Sequence, residues 1–172
     1  MSYFSKIENR CWGLLKTQSN AEKSVRKYLE GNGYPCYLPL ICNTNENLKN
    51  KHSKMMPMFP GYIFAAWGTI EDKDKIHRHS LIAYYTFHDY AQEDFVIESM
   101  EQIKRIELAS KEYAIKACSA PSSKNWTTIK DGTLSGCGGY LSRGEERSRF
   151  TIKLSLVDAF FEILIPNNVL SY

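Results

Sequence analysis

Apolar and polar positions along the chain change period several times, and each change marks an element. Cys11-Trp12-Gly13-Leu14-Leu15-Lys16 is a short, mostly apolar run, the pattern of a buried strand. The polar connection Thr17-Gln18-Ser19-Asn20 follows, with Asn20 placed to cap a helix. Ala21, Val25, Tyr28 and Leu29 then recur at helical spacing, while Glu22, Lys23, Arg26 and Lys27 lie away from that stripe. Gly31-Asn32-Gly33 tolerates positive φ and ends the helix. Residues 34–41 predict a second strand, part of it placed at an edge by Pro39. Residues 43–56 have almost nothing to bury and predict a long mobile hairpin or loop, with Lys49, Lys51 and Lys54 at its basic end.

Beyond that loop, residues 59–67 are strongly β-prone. Residues 76–81 predict a short helix or turn, and residues 82–87 another strand. Residues 95–109 are periodic again, through Ile97, Met100, Ile103 and Ile106, and predict a helix. In residues 110–125 the run Cys118-Ser119-Ala120-Pro121-Ser122-Ser123 neither alternates nor forms an amphipathic face, which predicts a linker. Four short strands are expected after it, over residues 126–129, 139–141, 150–156 and 160–165, with turns at Asp131-Gly132 and Ser142-Arg143-Gly144-Glu145. Short strands so closely spaced predict a small barrel. The expected class is α+β: a βαβ-type sheet with helices over residues 1–109, a flexible linker over 110–125 and a small β-barrel over 126–172.

A length of 172 residues suits one average domain or two small ones. With 43% hydrophobic and 24% charged residues the chain is able to bury a core. Its aromatic content, chiefly eleven Tyr and eight Phe, fits half-buried pleated surfaces. A net charge of +3 permits contact with nucleic acid without demanding it. No stretch approaches the roughly 18 apolar residues that span a bilayer, and residues 1–10 are polar and mixed in charge, unlike a secretory signal. A cytoplasmic location without membrane attachment is expected.

Five cysteines, an odd number with no CxxC pair, speak against a zinc site or a disulfide framework and are read as reduced thiols. Gly136-Cys137-Gly138-Gly139 is glycine-rich but opens no helix, so it is not a phosphate cradle. His77-Arg78-His79 reads as a solvated turn rather than a metal pair. No catalytic residue, metal or cofactor is expected, and the chain is not read as an enzyme.

Two stretches carry a resemblance. Trp12, Thr17, Glu22, Val25, Leu29 and Gly33 are followed by Tyr37-Leu38-Pro39 and then Pro57-Met58-Phe59-Pro60-Gly61-Tyr62-Ile63-Phe64. In order and spacing this resembles the N-terminal domain of the NusG family of transcription elongation factors. Later, Ile129-Lys130-Asp131-Gly132-Thr133-Leu134-Ser135-Gly136 and Gly139-Tyr140-Leu141 resemble a KOW motif, with Gly132, Gly136 and Gly139 as its glycines. The resemblance implies a NusG-type N-terminal domain and a C-terminal SH3-like KOW barrel.

The resemblance further implies that an apolar face of the N-terminal domain grips the clamp helices of RNA polymerase, through Phe59, Tyr62 and Phe64 with Trp12 nearby. Alternate strand residues face opposite sides, so Tyr62 and Phe64 share one face and Ile63 and Ala65 the other, and one set is core. Trp12 is open to core packing or partner contact. Lys16, Gln18, Lys23, Arg26, Lys27 and Arg78 are candidates for contact with the non-template DNA strand, or else form a solvated face. The KOW domain in the family recruits a ribosomal protein or Rho, here through Leu156 and Val157.

Leu156-Val157-Asp158-Ala159 lacks the aromatic residue and the arginine of that partner loop, Cys137 replaces a hydrophobe, and Ser80-Leu81-Ile82 stands where Arg-Gly-Val is common. These departures favour a specialised paralogue of the RfaH, UpxY or LoaP kind, a monomer that suppresses pausing or termination at a particular operon. The alternatives are housekeeping NusG, or a ribosome- or RNA-binding KOW protein.

Overall fold

The computed structural model describes residues 2–42, 55–87 and 90–167. The basic loop residues Lys49, Lys51 and Lys54 lie outside the described residues. The chain divides into two compact units, one formed by Met1–Leu40 and Pro57–Glu101 and the other by Ile41–Met56 and Gln102–Tyr172. The strands of both pair antiparallel.

The chain runs from β1 (Cys11–Thr17) to α1 (Glu22–Gly31) and β2 (Cys36–Tyr37), then through a two-stranded ribbon of β3 (Leu40–Cys42) and β4 (Met55–Pro57) to β5 (Tyr62–Trp67), α2 (Ile70–His77), β6 (Ile82–Phe87) and α3 (Glu93–Ala109). Most of the ribbon and the end of α3 fall in the second unit, and the other elements in the first. The sheet order is β2-β5-β1-β6. Register pairs Trp12 with Ala66, Leu14 with Phe64 and Lys16 with Tyr62, so these residues share one face. Leu15, Ile63, Ala65 and Trp67 fill the opposite face and pack against Val25 and Leu29 of α1 and Ile76 of α2.

The sequence expectations differ from this unit in three places. Asn20 does not cap α1: it adopts φ 61 in a turn closed by Ala21 N–H donating to the Gln18 carbonyl at 3.1 Å, and Ala21 holds the cap position. Asn is among the few residues that enter the left-handed region readily. The expected second strand is interrupted at Leu38 and Pro39, and the Pro39 carbonyl instead accepts Met58 N–H at 2.9 Å. The short helix or turn expected over 76–81 is the last residues of α2 and the turn after them, and α2 itself begins earlier, at Ile70, where Thr69 and Asp72 form a reciprocal capping box.

The second unit carries β7 (Ile115–Cys118), β8 (Trp126–Thr128), β9 (Gly138–Ser142), β10 (Arg147–Leu154) and β11 (Ala159–Pro166), in sheet order β7-β11-β10-β9-β8. Phe150, Ile152, Leu154, Phe161, Ile163 and Ile165 alternate onto one buried face. The stretch expected to be a linker contains β7, which pairs with β11 from Phe160↔Cys118 to Ile163↔Ile115. Only Ile115 of this edge strand is buried, and Lys116 and Ala117 are exposed. In α3 the buried stripe runs through Val96, Met100, Ile103, Ile106 and Ala109, while Ile97 is half-buried.

Candidate functional site

The Phe59-Pro60-Gly61-Tyr62 segment forms a turn that the chemistry of its residues dictates. Tyr62 N–H donates to the Phe59 carbonyl at 3.1 Å, and Gly61 has φ 83. Proline second and a positive-φ glycine third is the type II pattern. Gly61 is bonded on both sides of its peptide: its carbonyl accepts Thr17 N–H at 2.8 Å, and its N–H donates to Glu22 Oε1 at 2.5 Å. Glu22, assigned to the polar side of α1 by periodicity, is buried. A helical spacing rule does not see a carboxylate turned toward a backbone amide on another element.

This turn delivers Tyr62 to the sheet face that also carries Lys16, whose Nζ lies 4.0 Å from the centre of the Tyr62 ring. Both residues are half-buried. The other three residues expected to contact a partner are enclosed: Trp12 is 5%, Phe59 6% and Phe64 0% exposed. Trp12 thus takes the core-packing alternative, Phe59 and Phe64 are enclosed in the same way, and Tyr62 alone of the four offers surface. The physical reason lies in the aromatic residues beside them. The Phe4 ring meets Trp12 edge-on at 6.0 Å and Tyr37 at 4.8 Å, and Tyr37 stacks on Phe64 at 6.0 Å.

Phe4 is held there by its own segment. Glu101 Oε1 accepts the N–H groups of Tyr3 and Phe4, and Trp12 Nε1 donates to the Ser5 carbonyl at 3.0 Å. Buried Glu93 accepts Trp12 N–H at 3.1 Å. Periodicity gave no sign of these contacts, since residues 1–10 carry no element.

The six polar candidates do not form one patch. Lys16 lies on the Tyr62 face, whereas α1 packs against the opposite face. Lys23, Arg26 and Lys27 are exposed on α1, with Arg26 paired to Glu30 at 2.7 Å. Gln18 donates Nε2 to the Ser80 carbonyl at 2.8 Å and its N–H to the Leu81 carbonyl at 2.9 Å, which places it near exposed Arg78 at the end of α2. Close by, the Tyr28 and His79 rings lie 4.0 Å apart.

In the second unit, Gly132 and Gly136 have φ 76 and 82 and close the turn between β8 and β9. Ile129 N–H donates to the Cys137 carbonyl at 3.0 Å, and Gly136 N–H to the Ile129 carbonyl at 2.8 Å. Gly139 is required by space, because a Cβ there would lie 2.6 Å from the Thr151 carbonyl oxygen. Leu156 and Val157 are half-buried in a single 3₁₀ turn that ends at Asp158 in the left-handed region, φ 45. Cys137 is fully buried, and burial pushes its thiol pKa up against the pull of Arg105.

Among the described residues no group of three or more His, Cys, Asp or Glu is placed to hold a metal ion, and no helix is long and apolar enough to cross a membrane. The family model described as "Transcription termination factor nusG" matches residues 10–107. The chain belongs to the NusG family, a class of non-enzymatic transcription elongation factors.

A solved structure described as "Domain interaction in Thermotoga maritima NusG" is similar to it, with a TM-score of 0.57 and 14% identity over 91% of this chain and 93% of that one. A second, described as "Crystal Structure of MjSpt4:Spt5 complex conformation B", aligns over 93% of this chain and 95% of that one at 12% identity, with a TM-score of 0.30, too low to bear on the fold. No curated protein matches the sequence.

Proposed function

We propose that this chain is a specialised member of the family that binds the clamp helices of RNA polymerase through its first unit and suppresses pausing or termination at a specific operon. The observation that carries the reading is the locked Phe59–Tyr62 turn, which holds half-exposed Tyr62 beside Lys16 on one sheet face. An aromatic anchor held rigid before binding loses little freedom on docking, which is how few residues carry most of an interface's energy. Binding the elongating form of the polymerase more tightly than the paused form is sufficient to shift the balance between them.

Gln18 and Arg78, with the exposed cations of α1, face the non-template strand in this reading and add a salt-dependent contribution. The second unit acts as a KOW-type barrel. Leu156 and Val157 offer a smaller docking turn than an aromatic–arginine pair, so recruitment of Rho or a ribosomal protein is weak, and this separates the chain from a housekeeping factor.

Co-purification of the tagged chain with core RNA polymerase tests the reading. Retention by the wild type and loss by a folded Tyr62→Ala variant supports it. No retention at low salt by the wild type overturns it.

A further inference from the structure

Residues 2–8 contribute no helix or strand, yet they close one end of the sheet face whose other end carries Tyr62. That face runs from Trp12 and Tyr37 through Phe64 to Tyr62 and Lys16. At the Trp12 end the Phe4 ring meets both Trp12 and Tyr37. With Phe4 in place Trp12 and Tyr37 are 5% and 9% exposed, whereas Tyr62, further along the face, is half-buried.

The segment is held lightly. A single oxygen, Glu101 Oε1, accepts from Ser2 Oγ at 2.8 Å, from Tyr3 N–H at 2.5 Å and from Phe4 N–H at 2.7 Å. Lys6 pairs with Asp94 at 2.9 Å, but the two side chains are 55% and 83% exposed, and ion pairs so exposed contribute little. Of residues 2–8 only Phe4 and Ile7 are even half-buried, and the rest are exposed. A segment with so few buried contacts opens at much lower cost than the strands beneath it.

Lifting this strap uncovers three features together. The first is apolar surface on Trp12 and Tyr37. The second is the Trp12 indole N–H, which now donates to the Ser5 carbonyl at 3.0 Å. The third is the Glu101 carboxylate, which ends a stripe of Asp94, Glu98 and Glu101 at the i, i+4, i+7 spacing of one helix face. Their complement is a large apolar side chain, an acceptor oxygen and a basic side chain.

We infer that residues 2–8 are a built-in competitor for RNA polymerase, a strap that lifts to admit a polymerase segment offering those three groups. This role rests on the polymerase-binding reading and adds regulation to it: the docking surface extends beyond Tyr62 and is partly closed in the free chain. Apparent affinity scales with the fraction of chains that are open, so loosening the strap tightens binding.

The test uses the full chain and core RNA polymerase, with Phe4→Ala and Glu101→Ala to loosen the strap and Glu101→Gln to keep an accepting oxygen. Biolayer interferometry reads polymerase affinity. Strap opening is read separately in the free chain, from hydrogen exchange of the Trp12 indole N–H in ¹⁵N-labelled protein. Phe4→Ala and Glu101→Ala are expected to speed that exchange and to raise affinity about three- to tenfold, with Glu101→Gln between them and the wild type. Phe4 and Glu101 are only half-buried, so far-ultraviolet circular dichroism of the variants should match the wild type.

Faster exchange with unchanged or weaker affinity overturns the competitor role. Exchange as slow as in the wild type makes the segment a fixed part of the fold and overturns the strap, whether or not polymerase binds. If neither the wild type nor any variant binds polymerase, although exchange is faster, the polymerase-binding reading is what fails, and the competitor role falls with it.

Discussion

The carboxylate of Glu22 accepts the N–H of Gly61 at 2.5 Å, joining the first turn of α1 to the centre of the Phe59–Tyr62 turn. Both residues are buried. Removing the carboxylate leaves a buried amide without its partner, which costs about 2 kcal/mol for a bond to a charged group. Glu22→Ala is expected to lower the midpoint of urea unfolding accordingly and to weaken polymerase retention. Glu22→Gln, whose side-chain oxygen still accepts, is expected to recover most of both. Equal midpoints for Glu22→Ala and the wild type would show that the turn holds without this bond.

Tyr62 and Phe64 sit two residues apart on one strand face, yet their substitution should read out differently. Phe64 is fully buried, and truncating it to Ala is expected to remove about 3–5 kcal/mol of stability. Tyr62 is half-buried and exchanges chiefly a cation–π contact with Lys16, so Tyr62→Ala is expected to destabilise by about 1 kcal/mol or less. Urea unfolding separates the two. Tyr62→Ala is thus the clean probe of partner binding, while loss of binding in Phe64→Ala reports unfolding.

The contrast shows what the sequence discloses. Strands β1, β5, β10 and β11 were legible because their apolar positions are local and periodic, and the turn at Gly61 was legible because proline and glycine dictate it. Strand alternation also told that Tyr62 and Phe64 share a face, but not which of them is enclosed. That depends on Phe4, distant in sequence and outside any periodic pattern. Glu22 and Glu93 escaped for the same reason, since each bonds a backbone amide on another element. The linker reading failed at Ile115–Cys118, a four-residue strand with one buried residue that adjoins a Ser- and Pro-containing run.

A pH dependence follows from the bond of Tyr34 Oη to Asp72 Oδ1 at 3.0 Å. Burial acts to raise the Asp72 pKa, but hydrogen bonds from Tyr34 and Thr69 outweigh it and hold the carboxyl below its usual range. Its folded pKa is below its unfolded one, so this stabilisation is present above about pH 4 and is lost as pH falls through the folded value. Burial first, and then Asp72, push the Tyr34 phenol up to about 12, so its contribution is complete below about pH 10 and is lost as pH rises through about 12. Tyr34→Phe is expected to reduce stability by about 1 kcal/mol at neutral pH and to make both losses shallower. Urea midpoints across pH measure this, and parallel profiles for variant and wild type would exclude the bond as their source.

Two glycines of the second unit are required for different reasons, and one substitution tells them apart. At Gly132 nothing stands within 4 Å of a new Cβ, but φ is 76. At Gly139 no positive φ is involved, but a Cβ would lie 2.6 Å from the Thr151 carbonyl oxygen and 2.8 Å from the Phe150 ring. Asparagine tolerates the left-handed region with its local hydrogen bonding, so Gly132→Asn is expected to be nearly neutral. It gives no relief from a collision with strand backbone, so Gly139→Asn is expected to destabilise the sheet by about 1–3 kcal/mol, as overpacking does. Chemical unfolding of the full chain, followed by far-ultraviolet circular dichroism, gives both numbers. If Gly139→Asn loses no more stability than Gly132→Asn, the approach of β9 to β10 is not what requires a glycine there.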